Sequence, residues 1–191
     1  MATLRVIAGT ARGRRLKMVP GDTTRPIMDR VKEALFNIIG TSIYDARFLD
    51  LFAGTGSVAI EALSRGAAHA LALDLSREAV QTIQDNLRVT RLEARAEVRR
   101  GDAFAFLAST PSAFDFIYIA PPQYQGLWKR ALMSVDDRPE WLAKDGLVIV
   151  QIDPVELEEV ALRHLVQSDE RKYGSTLLLF FEHSHRVERE S

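Results

Sequence analysis

Between residues 47 and 152 the apolar positions switch repeatedly between two periods, short unbroken runs and stripes recurring every three to four residues. The runs predict strands near 47–52, 69–74, 95–100, 114–119 and 146–152. The stripes predict helices near 56–65, 76–91, 102–109, 126–136 and 154–162. Such alternation implies right-handed crossovers and a mainly parallel, doubly wound sheet. Further apolar runs near 164–170 and 176–182 meet at Tyr173-Gly174 with no room for a helix, which predicts an antiparallel hairpin completing the sheet. Upstream, Leu4–Ala8 and Arg15–Val19 read as two short strands around a turn from Gly9 to Gly13, ended by Pro20-Gly21-Asp22. Pro26 then opens a helix to about Ile39, with Val31, Leu35, Ile38 and Ile39 on one face and Gly40 as its stop. The expected organisation is a hairpin over 1–22, an α/β domain over 23–183 and a frayed polar tail over 184–191.

The sharpest local signal is Asp50-Leu51-Phe52-Ala53-Gly54-Thr55-Gly56. It follows a strand and runs at once into the helical pattern Val58, Ile60, Ala62, Leu63, closed by Gly66. Strand, glycine turn and helix let backbone approach a nucleotide-like ligand closely. Gly54-Thr55-Gly56-Ser57-Val58-Ala59 also fits the dinucleotide fingerprint, and Asp74 lies near the ~20-residue offset of a ribose-binding acid. Asp50 favours the other reading, because a pyrophosphate has no need of a carboxylate beside it. Asp-x-Phe-x-Gly-x-Gly resembles motif I of the Rossmann-like methyltransferases, where the acid sits near the methionine part of S-adenosylmethionine.

Charge adds an anionic partner to this picture. Residues 1–33 hold eight basic and three acidic side chains, a net +5 that leaves −6 for the remaining 158 residues. Arg12, Arg14, Arg15, Lys17 and Arg25 are the candidate phosphate contacts, since clustered arginines suit phosphate better than random solvation does. A solvated surface hairpin is the competing reading. The chain has no cysteine, so it can form neither disulfides nor thiolate metal sites, and its four histidines make no metal constellation. No apolar run is long enough to span a bilayer and the N-terminal residues lack an h-region, so the expectation is a cytoplasmic protein without a metal, active as a monomer.

Ligands of open α/β sheets bind outside the carboxyl ends of the strands. Asp74, after Ala70–Leu73, could accept both ribose hydroxyls or serve the helix start at Ser76. Asp102 could accept an adenine amino group or cap the helix that begins at Ala103. Ala120-Pro121-Pro122-Gln123-Tyr124 follows the buried-strand pattern Phe116–Ile119. Methyltransferases acting on exocyclic or amide nitrogens carry (Asp/Asn)-Pro-Pro-(Tyr/Phe) there. Such a nitrogen is a poor nucleophile because its lone pair is delocalised. Acceptors on its N–H and a stacked, restrained ring raise lone-pair density toward the methyl group. Here Ala120 replaces the acid or amide and Gln123 shifts Tyr124 by one place. Either the backbone carbonyls hold the amine, with Gln123 as a further acceptor and Tyr124 as the stack, or the site is catalytically weak.

Taken together, the chain resembles the RsmD-type bacterial 16S ribosomal RNA guanine-N2 methyltransferases over nearly its whole length. The resemblance rests on Arg5–Gly9 through Gly13–Leu16, on Thr24-Arg25-Pro26 with Asp29–Asn37, on motif I, on the Pro-Pro segment and on Lys172-Tyr173-Gly174. It implies a class I S-adenosylmethionine-dependent fold: a mostly parallel seven-stranded sheet with helices on both faces and an N-terminal β-hairpin extension. It also implies methyl transfer to the N2 amine of one guanine in the small ribosomal subunit or an assembly intermediate. Asp50, Phe52, Gly54, Gly56, Asp74 and Asp102 match the cofactor side, while Thr24, Arg25 and Asp29 match the stretch bordering the methionine and target side. The hairpin gains a role as an RNA clamp. Three other readings stay open at this point. One is a non-catalytic RNA-binding or assembly protein, supported by Ala120. Another is a nicotinamide-dependent oxidoreductase, supported by the fingerprint, and the last is a transferase acting on an adenine or a glutamine amide.

Overall fold

A computed structural model describes residues 3–22 and 26–184 of the chain. The sequence matches at Thr24 and Arg25, and the tail from 185 onward, lie outside these residues. The strands are β1 (Arg47–Asp50), β2 (His69–Asp74), β3 (Ala96–Arg100), β4 (Phe114–Ile119), β5 (Leu142–Ile152), β6 (Leu165–Tyr173) and β7 (Thr176–His183). The helices are α1 (Asp29–Ile39), α2 (Ser57–Ser64), α3 (Arg77–Thr90), α4 (Ala103–Leu107) and α5 (Leu127–Asp137). The sheet has seven strands in the order β3-β2-β1-β4-β5-β7-β6. The chain divides into two compact units, one through Asp102 and one from Ala103.

In the first unit β1, β2 and β3 are parallel, with Asp50 opposite Ala72 and Asp74 opposite Arg100. Phe48, Leu49, Leu71 and Leu73 are buried, as unbroken apolar strands of a covered parallel sheet must be. In the second unit β5 lies parallel to β4 and antiparallel to β7, and β6 closes the edge antiparallel to β7. The hairpin predicted at Tyr173-Gly174 is therefore present, with Tyr173 paired to Thr176.

Two predicted elements take another form. The N-terminal hairpin is a single antiparallel bridge between Arg5 and Arg15, flanked by bonds from Leu16 N to Leu4 O (2.8 Å) and from Val6 N to Arg14 O (3.0 Å). The ladder goes no further because buried side chains take its backbone groups. Ile7 N and Ala8 N donate to the Glu61 carboxylate at 2.9 and 3.0 Å, and Lys17 N donates to Asn86 Oδ1 at 2.7 Å. Alternation still sorts the faces near the bridge, since Leu4, Val6 and Leu16 are buried while Arg5, Arg15 and Lys17 are exposed. The helix predicted over 154–162 is only a 3₁₀ turn, Pro154–Glu156. Beyond it, the buried Asp136 carboxylate ties down the start of β6 by accepting from the N–H groups of Arg163, His164 and Leu165, each at 2.8 Å.

Docking of the N-terminal segment on α2 depends on a buried polar network. Glu61, besides its two backbone donors, accepts from Arg65 Nε at 2.9 Å and lies 3.5 Å from the Lys32 ammonium. Lys32 Nζ donates to Arg5 O (2.6 Å) and Ser57 Oγ (2.9 Å). Desolvation lowers the Lys32 pKa, and the Glu61 charge opposes that shift. Close approach is enforced at Gly9, whose φ is +87° and where a Cβ would lie 1.9 Å from Ser64 O. Removing one partner of a buried pair leaves the other charge uncompensated, at a cost of about 3–5 kcal/mol. Glu61→Gln and Lys32→Met are each expected to lower the urea unfolding free energy by that order. A loss below about 1 kcal/mol in both would show that the network holds nothing together.

Candidate active site

The glycine loop begins where β1 ends. Asp50, the last residue of β1, is 1% exposed, and its Oδ1 lies 3.4 Å from the N–H of Phe52, which is half-buried. Burial pushes the Asp50 carboxyl up to about 8, the Phe52 N–H opposes that rise, and the Asp74 charge adds to it. The chain then turns through Ala53, whose N–H donates to Leu73 O at 2.9 Å, so the loop is stitched to β2. Gly54 has φ +56° and Gly56 has φ +78°, a region that favours glycine. Gly56 caps α2, and a Cβ there would meet Ile83 at 3.0 Å. A Cβ on Gly54 would meet nothing within 4 Å, so the loop presents bare backbone to open space.

Asp74 closes the loop from the next strand. Its Oδ2 accepts from Gly54 N at 2.8 Å and its Oδ1 from Ser76 N at 2.9 Å. A carboxylate has about four acceptor positions, so each oxygen keeps one for a ligand hydroxyl. Of the two sequence readings of Asp74, the structure shows the one at the helix start, through Ser76 N, and adds a bond to the glycine loop. Capping proper falls to Ser76, which accepts from Ala79 N. Leu75, beside Asp74, is 65% exposed and offers an apolar surface there. Asp102 is exposed at the residue before α4.

Sequence reasoning missed the residues that hold this loop. Asn86 is buried on α3, and its Nδ2 donates to Thr55 O at 2.9 Å and to Lys17 O at 3.1 Å. With Lys17 N on its Oδ1, one amide grips both the loop and the N-terminal segment. Lys32 does the same through Ser57 and Arg5. The one signal for Asn86 is a polar residue on a buried helix face, which it shares with Ala79, Ile83 and Thr90.

In the second unit the Pro-Pro segment follows β4 directly. Ala120 and Pro121 are half-buried, and Pro122, Gln123 and Tyr124 are exposed. Tyr124 has φ +64° and is 66% exposed. Its N–H donates to Glu156 Oε1 at 2.7 Å and its hydroxyl to Asp153 Oδ2 at 2.8 Å, the latter bond raising the tyrosine pKa. These bonds hold a conformation that a bulky residue otherwise avoids. Of the basic candidates, Arg12, Arg14 and Arg15 are exposed and have no ion-pair partner among the described residues. Lys17 is exposed and pairs with Asp85 at 3.2 Å. Arg25 lies outside the described residues. Among those residues no group of three or more His, Cys, Asp or Glu is placed to hold a metal ion, and no helix is long and apolar enough to cross a membrane.

Known proteins resemble the chain in sequence and in fold. The family described as conserved hypothetical protein 95 matches residues 4–182. The chain is 41% identical over 177 residues to YlbH of Bacillus subtilis, covering 91% of this chain and 95% of that protein. It is 36% identical over 148 residues to the ribosomal RNA small subunit methyltransferase D of Escherichia coli K12, covering 78% of this chain and 74% of that protein. Among solved structures, yhhF of Escherichia coli superposes with a TM-score of 0.84 at 32% identity, covering 95% of this chain and 98% of that one. By sequence, sheet order and glycine loop, the chain belongs to the RsmD family, that of the ribosomal RNA small subunit methyltransferase D proteins.

Proposed function

We propose that the chain transfers a methyl group from S-adenosylmethionine to the exocyclic N2 of a guanine in 16S ribosomal RNA, in the bacterial cytoplasm. The observation that carries the reading is the bare glycine loop between two acids of different environment, a buried one at Asp50 and a half-exposed one at Asp74. The buried acid, kept protonated at neutral pH by its burial, would ionise against a compact ammonium, and the half-exposed acid suits a diol. Family membership and Asp50 together set the dinucleotide reading aside.

S-adenosylmethionine, when bound, supplies an electrophilic methyl on a sulfonium that leaves as a neutral thioether. Asp50 would hold the amino-acid end, the backbone of Gly54 and Gly56 would admit close contact, and Asp74 would fix the ribose. Asp102 and Leu75 would border the adenine. On the target side, the prolines at 121 and 122 offer no N–H donor, which leaves the carbonyls of this segment as its backbone groups for an amine. With no acid at Ala120, those carbonyls and Gln123 would accept the N2 hydrogens, and Tyr124 would stack on the base. One N–H proton passes to solvent as the N–C bond forms. Holding the reactants in line supplies much of the acceleration. Arg12, Arg14, Arg15, Lys17 and Arg25 would grip phosphates and set register without reading sequence.

Labelled S-adenosylmethionine and small subunits from a bacterium lacking its own enzyme test the reading. Label should appear in N2-methylguanosine. No label despite cofactor binding, followed by activity in Ala120→Asp, would favour a silent RNA-binding protein instead.

Asp50 adds a pH signature. Its folded pKa of about 8 lies above the unfolded value of about 3.9, so the folded state holds the extra proton between the two. The stability it contributes is complete below about pH 4 and is lost as pH rises toward 8. Asp50→Asn, which mimics the neutral acid, should match wild type at low pH and exceed it in stability at pH 8, while losing cofactor affinity. Parallel stability curves for the two proteins would refute the raised carboxyl.

For the clamp, replacing Arg12, Arg14 and Arg15 together by Ala should flatten the salt dependence of RNA binding. The log–log slope should fall by ~0.7–0.9 for each phosphate that these arginines neutralise in the wild-type complex. An unchanged slope would remove them from the interface.

A further inference from the structure

The second unit contains a cavity of about 670 Å³ that includes none of the residues assigned above. Trp128 on α5, Leu157, Val160 and Leu162 along the segment after the 3₁₀ turn, and Phe181 on β7 form its apolar walls. Trp128 and Phe181 are buried at its floor, whereas Leu157 at its lip is 45% exposed. The charged residues lining it are all acidic: Glu158, Glu159 and Glu170. Lys129 pairs with Glu158 at 3.2 Å, and Gln167 donates to Glu170 at 3.2 Å. Among the described residues neither Glu159 nor Glu170 has a cation within ion-pair distance.

The segment at the lip has unspent backbone as well. Leu157 N donates to Pro154 O and Arg163 N to the Asp136 carboxylate. Among the described residues the N–H groups between them, at 158–162, donate to no backbone carbonyl. N–H groups left without backbone acceptors can pair with an added peptide segment, while apolar walls take its side chains.

Charge decides what occupies the groove. Carboxylates at the lip repel phosphate, so the groove does not suit RNA. A lysine- and arginine-rich protein segment fits instead, with apolar residues and side-chain stems against the walls and cationic ends beside Glu159 and Glu170. We propose that this groove docks a basic, apolar-anchored protein segment of the ribonucleoprotein particle that carries the target RNA. The identity of that particle rests on the methyltransferase reading, whereas the chemistry of the occupant rests on the groove alone.

A photo-reactive side chain placed at Leu157 tests this on purified small ribosomal subunits, with a second one at Arg14 for comparison. Cross-links from position 157 to a Lys/Arg-rich protein segment, beside cross-links from position 14 to RNA, are the expected pattern. Cross-links from 157 to RNA, to a second copy of the chain or to its own residues 185–191 would overturn the proposal, as would none at all. The charge reversals Glu159→Lys and Glu170→Lys together, with unchanged urea midpoint, should weaken binding to subunits by about tenfold. Binding to protein-free 16S RNA should not weaken. Equal loss on both, or on neither, counts against the groove. Methyl transfer by the wild-type protein to the same subunits is scored separately, so failure of that reaction is distinguishable from failure of docking.

Discussion

The carboxylate of Glu61 is the constraint on which the first unit depends. It sits fully buried in the middle of α2 and answers for that position with four partners: Ile7 N, Ala8 N, Arg65 and Lys32. A buried ion pair adds little stability for its cost, so its main contribution is geometric. Shifting the N-terminal segment by one residue would strand two N–H groups and move Gly9 away from Ser64 O, an approach that only glycine permits. Register is therefore fixed. With Leu4, Val6, Leu16 and Val19 turned inward, Arg14 and Arg15 have nowhere to point but solvent.

The same segment helps to hold the glycine loop. Lys32 connects Arg5 O to Ser57, just after Gly56, and Asn86 connects Lys17 to Thr55, just before it. Asp74 secures Gly54 from a third direction. A loop with two left-handed glycines has much freedom to lose, and these bonds remove it before a ligand arrives. Placing a site on rigid elements supported by buried polar groups is how small displacements are avoided. The N-terminal segment thus belongs mechanically to the glycine loop even though its outer face is given to arginines.

How much of this is legible in the sequence follows from the range of each interaction. Strand and helix alternation, the glycine turn and the hairpin at Tyr173-Gly174 are encoded within windows of a few residues, and all are readable. Glu61 and Asn86 stand out as polar residues on buried faces, but their partners lie 54 and 69 residues away and no local pattern names them. The N-terminal ladder stops short of its sequence pattern for that reason, since the side chains that interrupt it are distant. The segment 154–162 has a helical period, yet Asp136 claims the N–H groups just beyond it through contacts 27 to 29 residues apart. A tertiary carboxylate outweighs local periodicity there.

Tyr124 shows how that missing helix and the Pro-Pro segment depend on one turn. Asp153 caps the 3₁₀ turn by accepting from Val155 N and uses its other oxygen on the Tyr124 hydroxyl. Glu156 reaches back to Asp153 N and forward to Tyr124 N. Both carboxylates are thus shared between closing the turn and holding a left-handed tyrosine. The bond at the hydroxyl lies at the tip of the ring and the bond at the amide lies at its base, so neither covers a face. The backbone bond and the hydroxyl bond together fix the ring's position while leaving Tyr124 66% exposed. Glu156 thus serves Tyr124 and the turn at once, and the chain beyond the turn takes no regular structure until β6.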